Sequence, residues 1–412
     1  MELENNMPEG WIDTDIGESS IVTTGFPFKS KEYSEYGKLK VVRGENVSLK
    51  KLRWNNCKYW IHSTKNLEQY FLQAGDIVVG MDGSRIGKNK ASVSFSDLPL
   101  ILAQRVARIR AIDGVSQQFL KYTILNKKFE RYIIKIQTGT SIPHISLGQI
   151  KDFNFILPPL PEQKAIAKVL TAFDDKIELL QAQNKTLESM AQTIFKEWFG
   201  KYQIGDELPE GWRVERIKDS MEIRNGYAFK SLDYKLQGVP IVRTTNFNNG
   251  SINLNSPVYL SNEKSAEYTK FLLHKFDFLL VMVGASIGKN VITPEHILPA
   301  LQNQNMWNFK SKKNENIFYN IHTLKKIIKQ QMNSASGSAR DFFRKDYFYE
   351  LEIIKPPKEL LMKFNEIVET YYTKIDINIT QIQSLTKTRD TLLPKLMSGQ
   401  VRVNNIKQTA NA

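Results

Sequence analysis

The chain has 412 residues, enough for two or more domains, and carries 57 Lys and Arg against 43 Asp and Glu, a net charge of +14. A basic excess of that size points to a polyanionic partner, nucleic acid above all. A single cysteine, Cys57, excludes an internal disulfide framework and argues against a Cys-based zinc site. The acidic start MELENNMPEGW lacks the apolar core of a signal peptide, and the longest strongly apolar stretch, Phe276 to Val283, is too short for a bilayer, so a cytoplasmic chain without a membrane partner is expected.

Read in order, the chain repeats itself after about 200 residues. Pro8-Glu9-Gly10-Trp11 returns as Pro209-Glu210-Gly211-Trp212, and Gly25-Phe26-Pro27-Phe28-Lys29-Ser30 as Gly226-Tyr227-Ala228-Phe229-Lys230-Ser231. Val41-Val42-Arg43 with Asn46 matches Ile241-Val242-Arg243 with Asn246. Asp76 to Met81 and Asp277 to Met282 read as buried strands, each followed by a Gly-rich turn, Gly83 to Asn89 and Gly284 to Asn290. Ile101 to Ile109 alternates like a strand, Gln104 matches Gln304, and Val115 to Ile136 reads as one helix. Thr138 to Ser141 matches Ser336 to Ala339, and each half ends on a proline pair, Pro158-Pro159 or Pro356-Pro357. The fold class is α+β: two pseudo-symmetric, strand-rich domains separated by two long helices.

Each long helix opens at a proline pair, where proline breaks the preceding strand and fits a first turn. In the first, Ile166, Phe173, Leu180, Leu187 and Ile194 alternate by three and four with Leu170, Ile177, Asn184, Ala191 and Trp198, an a/d seam of about five heptads. The second carries Phe364, Tyr371, Asn378, Leu385 and Leu392 with Val368, Ile375, Ile382, Arg389 and Leu396. Two such seams favour pairing with each other. An antiparallel arrangement about Ala182 opposes Asn184 to Asn378, a polar pair that fixes register, and leaves Phe173 facing Arg389, which would stack on the ring or reach outward.

No motif carries catalysis. Gly83 to Asn89 is one residue short of a Walker A loop and has Asn where the magnesium-binding hydroxyl should stand. Asp152 with Glu162-Gln163-Lys164 mimics a nuclease metal site, but a Glu in a first helical turn complements the helix dipole. A methyltransferase cofactor loop and an Asn/Asp-Pro-Pro-Tyr/Phe motif are missing, and His62, His144, His274, His296 and His322 lack metal spacing.

With repeat, helices and charge in view, the chain resembles the specificity subunit of type I restriction–modification enzymes over nearly its whole length. The resemblance rests on the alternation of variable domain and helix, on Leu157-Pro158-Pro159-Leu160-Pro161-Glu162-Gln163-Lys164 opening the first helix, on Pro161 to Ala167 and on Gly139 to Ile145. The second copy is degenerate, with Leu360-Leu361-Met362 where Gln-Lys would stand. The resemblance implies target-recognition domains at 1–157 and 201–355, spacer helices at 158–200 and 356–400 forming an antiparallel coiled coil, and a tail at 401–412. It implies that each domain reads one half of a bipartite double-stranded DNA site and that the coiled coil sets their separation. It further implies modification subunits using S-adenosylmethionine and restriction subunits using ATP and Mg, with no cofactor or metal on this chain.

DNA contacts are expected from polar and basic side chains on loops. The candidates are Arg43, Asn46, Arg85, Lys88, Gln104, Arg105, Ser141 and His144 in the first half, and Arg243, Asn246, Lys289, Gln304, Asn305 and Arg340 in the second. Those repeated in both halves have scaffold as their competing role, since base readers should differ between halves. The competing functional reading is a tandem-domain DNA-binding or protein-binding adaptor outside restriction–modification; the basic charge disfavours the protein-binding form, and a salt-dependent DNA gel shift discriminates it.

Overall fold

The computed structural model describes residues 7–138, 143–248, 250–254, 256–334 and 343–403. The chain divides into two compact units, one comprising residues 1–177 and 385–412 and the other 178–384. The boundaries fall inside the two long helices, Leu160–Phe199 and Lys358–Met397, rather than at the proline pairs. Each unit therefore holds one strand-rich body together with a stretch of both helices.

The first unit is built on a four-stranded antiparallel sheet in which Ser20–Thr24, Val106–Ala111, Ile77–Gly80 and Lys90–Ser92 lie side by side. A second sheet sets Leu39–Val42 between Tyr59–Trp60 and a parallel partner, Leu100–Leu102. The segment Ile101 to Ile109, expected as one strand, is two. Leu100–Leu102 and Val106–Ala111 belong to different sheets, and Arg105 between them takes φ of 67°. The expected helix over Val115 to Ile136 is likewise split at Asn126, whose side chain caps Lys127–Ile136 by accepting from Lys128 N at 3.0 Å.

The second unit repeats this plan with Met221–Asn225, Met306–Ser311, Phe278–Val281 and Asn290–Ile292 in one sheet and Val239–Val242, Val258–Leu260 and Leu301–Gln302 in another. Here the helix after the sheet, Ile317–Ser334, is continuous. The repeated motifs have local reasons. A Cβ on Gly25 would lie 2.3 Å from the Ala103 carbonyl oxygen and one on Gly226 1.9 Å from that of Asn303, so only glycine lets the chain cross there. In each Pro-Glu-Gly-Trp turn the Trp N–H returns to the proline carbonyl at 3.1 Å.

All twenty seam positions are buried or half-buried. In the first unit Ile166, Leu170 and Leu396 share the main core with Leu392. In the second, Ala191, Phe364, Val368 and Ile375 do so with Leu187, Ile194 and Trp198. The Asn184–Asn378 pair forms, with Asn378 Nδ2 donating to Asn184 Oδ1 at 2.8 Å. The pair is only partly self-satisfying, because Asn378 Oδ1 is buried without a donor. Arg389 departs from expectation. It neither stacks on Phe173 nor reaches outward, but is 8% exposed and donates to Asp174 and Asp390, each at 2.7 Å. A buried guanidinium needs carboxylate partners, and Asp174 sits one residue from the seam to supply one.

Candidate nucleic-acid interface

Strand register places three loops of the first unit at one end of its main sheet. Thr24 pairs with Ala107 and Gly80 with Val106, so the chain after 24, the loop 81–89 and the turn 103–105 emerge together. The segment 143–145 joins them. Gly83 N donates to Pro143 O and Ile145 N to Met81 O, both at 2.9 Å. Arg85, Lys88, Gln104, Arg105 and His144 are all exposed on these loops. Arg105 Nε lies 3.4 Å from Asp82, and His144 Nε2 is 3.1 Å from Thr138 Oγ1. The structure thus collects five of the eight first-half candidates on one surface.

The second unit builds the same end. Asn225 pairs with Trp307 and Val281 with Met306, which brings 226–229, 282–289 and 303–305 together. Lys289, Gln304 and Asn305 are exposed there, and Asn305, with φ of 72°, repeats the left-handed turn of Arg105. Ser141 and Arg340 lie outside the described residues.

The remaining candidates are scaffold. Asn46 is 1% exposed; its Oδ1 accepts from Arg43 N at 3.0 Å and its Nδ2 donates to Arg53 O at 3.1 Å. Asn246 makes the same two bonds with Arg243 N and Asn253 O. A buried amide spent on its own backbone cannot read a base edge, so both are corrected to structural roles. Arg43 and Arg243 are tied down too, donating to the carbonyls of Asn56 at 2.7 Å and Ser256 at 3.2 Å. Asp82, which fixes Arg105, was missed by sequence reasoning. Its signal was present, since the second copy has Val283 at that point in an otherwise matching loop.

The Gly-rich loops are not phosphate cradles of the Walker type. The N–H groups of Ile86, Lys88 and Asn89 turn back onto Gly83 and Arg85 carbonyls, and those of Ile287, Gly288 and Lys289 are likewise consumed. At the opposite end of each main sheet from its loop cluster, a buried carboxylate ties strands together. Asp76 receives two bonds from Arg110 at 2.7 Å, and Asp277 accepts from Asn308 at 2.8 Å with Lys310 at 3.1 Å. The nuclease-like Glu162 accepts from Trp11 Nε1 at 3.0 Å and from Arg402 at 2.6 and 2.8 Å. Gln163, 1% exposed, accepts from Ser116 N at 2.7 Å and donates to Pro158 O at 2.8 Å. Each of the five histidines has a hydrogen-bond partner. No helix among the described residues is long and apolar enough to cross a membrane.

Two copies of one strand-rich domain, each with a polar loop cluster at the same sheet end and each joined to a paired long helix, define a tandem DNA-recognition subunit. The chain belongs to the family of the type I restriction modification DNA specificity domain, which it matches twice, over residues 8–189 and 209–387. It is 26% identical over 328 residues to the MjaIX type I restriction enzyme specificity subunit of Methanocaldococcus jannaschii, covering 76% of each chain. With the EcoKI specificity subunit of Escherichia coli it shares 21% identity over 431 aligned residues, covering 98% of this chain and 88% of that one. Its fold is similar to the crystal structure of a type I restriction–modification S subunit from M. genitalium, with a TM-score of 0.62 at 19% identity over 96% of this chain and 98% of that one. The homologues are specificity subunits, the non-catalytic members of these systems, in keeping with a chain that carries no catalytic motif.

Proposed function

We propose that the two loop clusters are the DNA-reading surfaces, each taking one half of a bipartite site. Supporting this is one observation: the same backbone positions carry different side chains in the two units. Exposed Arg105 in the first is exposed Asn305 in the second, and exposed Arg85 is half-buried Ser286. A shared scaffold with divergent tips suits two readers of different half-sites, because base edges demand different donors and acceptors. The chain would bind no cofactor itself. It would assemble with modification subunits that use S-adenosylmethionine and restriction subunits that use ATP and Mg, and work in the cytoplasm. The test is a block exchange in a reconstituted modification complex, replacing residues 7–157 with those of a relative. One half of the methylated site should change and the other persist. A change in both halves would overturn the two-reader reading.

A further inference from the structure

We infer that the second unit holds a binding pocket for a phosphate group, at a place where the first unit has none. The pocket, about 210 Å³, lies where the strands Arg213–Arg216 and Glu352–Lys355 meet the start of the second long helix. Five cations line it: Arg213, Lys312, Lys313, Lys355 and Lys358. The repeat supplies an internal control. The equivalent residues of the first unit are Ile12, Ile112, Asp113, Leu157 and Leu160, so no cation stands at any of the five positions there. Two of these, Ile12 and Ile112, are 57% and 39% exposed, so the first unit turns apolar side chains outward at positions where the second carries cations.

The floor is Lys355, 4% exposed, whose Nζ is 3.0 Å from Ser220 Oγ and 3.7 Å from Glu215. Burial pushes its ammonium down to about 8, so the charge is held there at a cost that a bound anion would offset. Three carboxylates also line the pocket, and two are engaged. Glu215 accepts from Arg213 and Ser220, and Asp219 from Arg216 N, leaving Glu315 at the rim. Cations outnumber carboxylates by two, and Lys313 and Lys358 have no ion pair among the described residues. The pocket also opens on the first turns of two helices, through Lys358 for Lys358–Met397 and Asn316 for Ile317–Ser334, whose dipoles favour negative charge.

The degenerate second motif accounts for the space. In the first unit Gln163 spans from Pro158 to the start of Gln117–Leu125, satisfying backbone groups at both. Its counterpart Leu361 cannot make those bonds and lies 2% exposed at the pocket wall. The volume is large enough for a phosphoryl group.

The test is calorimetric titration of the full chain with inorganic phosphate against chloride at matched ionic strength. Two variants carry the first unit's own residues, Lys355→Leu and the surface change Lys313→Asp, with folding checked by circular dichroism. The expected result is saturable phosphate binding that weakens about tenfold or more in Lys313→Asp, the scale of one charge-assisted contact. Absence of saturable binding, or equal binding in Lys313→Asp, overturns the site. A competing arm adds duplex DNA and separates the sources of the phosphate. Displacement of phosphate by the duplex, with a DNA salt slope lowered by about one in Lys313→Asp, makes the ligand a backbone phosphate. Phosphate binding untouched by saturating duplex makes it free phosphate or a phosphomonoester.

Discussion

Asn378, fully buried on the second long helix, donates its amide to Asn184 on the first at 2.8 Å. A polar pair inside an apolar seam costs stability and penalises every sliding of one helix along the other, because a slip leaves both amides facing leucines or isoleucines.

Asn184→Ala should therefore destabilise the chain by about 1–2 kcal/mol, since Asn378 would lose its acceptor in a dry environment. Replacing both by Leu should recover most of that loss. A double-mutant cycle in urea checks it, and additive losses would show that the pair is not coupled.

Acid should act through His322. Burial among Phe195, Phe364 and Tyr372 holds its imidazole neutral, down to about 3 against an ordinary 6.5. Below 6.5 the unfolded chain binds a proton that the folded chain refuses, so stability falls as pH falls and continues to fall until the folded group titrates. Between pH 7 and pH 5 the loss from this residue is about 2 kcal/mol. His322→Phe should flatten the denaturation midpoint over that range.

The Glu162–Arg402–Trp11 cluster joins residues from both ends of the chain within the first unit. Arg402→Ala should lower the unfolding free energy by about 1–2 kcal/mol, the low side of a charge-assisted pair because Arg402 is a third exposed. An unchanged urea midpoint would show the contact to be energetically idle.

At the loop cluster proposed to read DNA, Lys88→Ala should weaken duplex binding evenly across sequences and lower the salt slope by about one, as expected for a phosphate contact. Gln104→Ala should instead relax base preference in one half-site. Asn46→Ala should reduce stability, with DNA affinity per folded molecule retained. Gel shifts at several salt concentrations, with melting curves alongside, separate the three outcomes.

The sequence by itself determined the periodic and repeated features: the duplicated domain, the heptad seam and the antiparallel register that opposes Asn184 to Asn378. These are legible because a helix repeats every 3.6 residues and a duplicated chain keeps its order. It also supplied exposed candidates such as Arg85, Lys88 and Gln104, since turn residues advertise loops. Only the tertiary structure decided which polar residues are spent internally. Asn46 and Gln104 look equally available in sequence, yet one is sealed under its own turn and the other stands free. The split of Ile101 to Ile109 between two sheets, the Asp174 partner of Arg389 and the cationic pocket around Lys355 were equally hidden. Each depends on residues far apart in the chain meeting in space, and no local pattern records which distant carboxylate, carbonyl or lysine will be the neighbour.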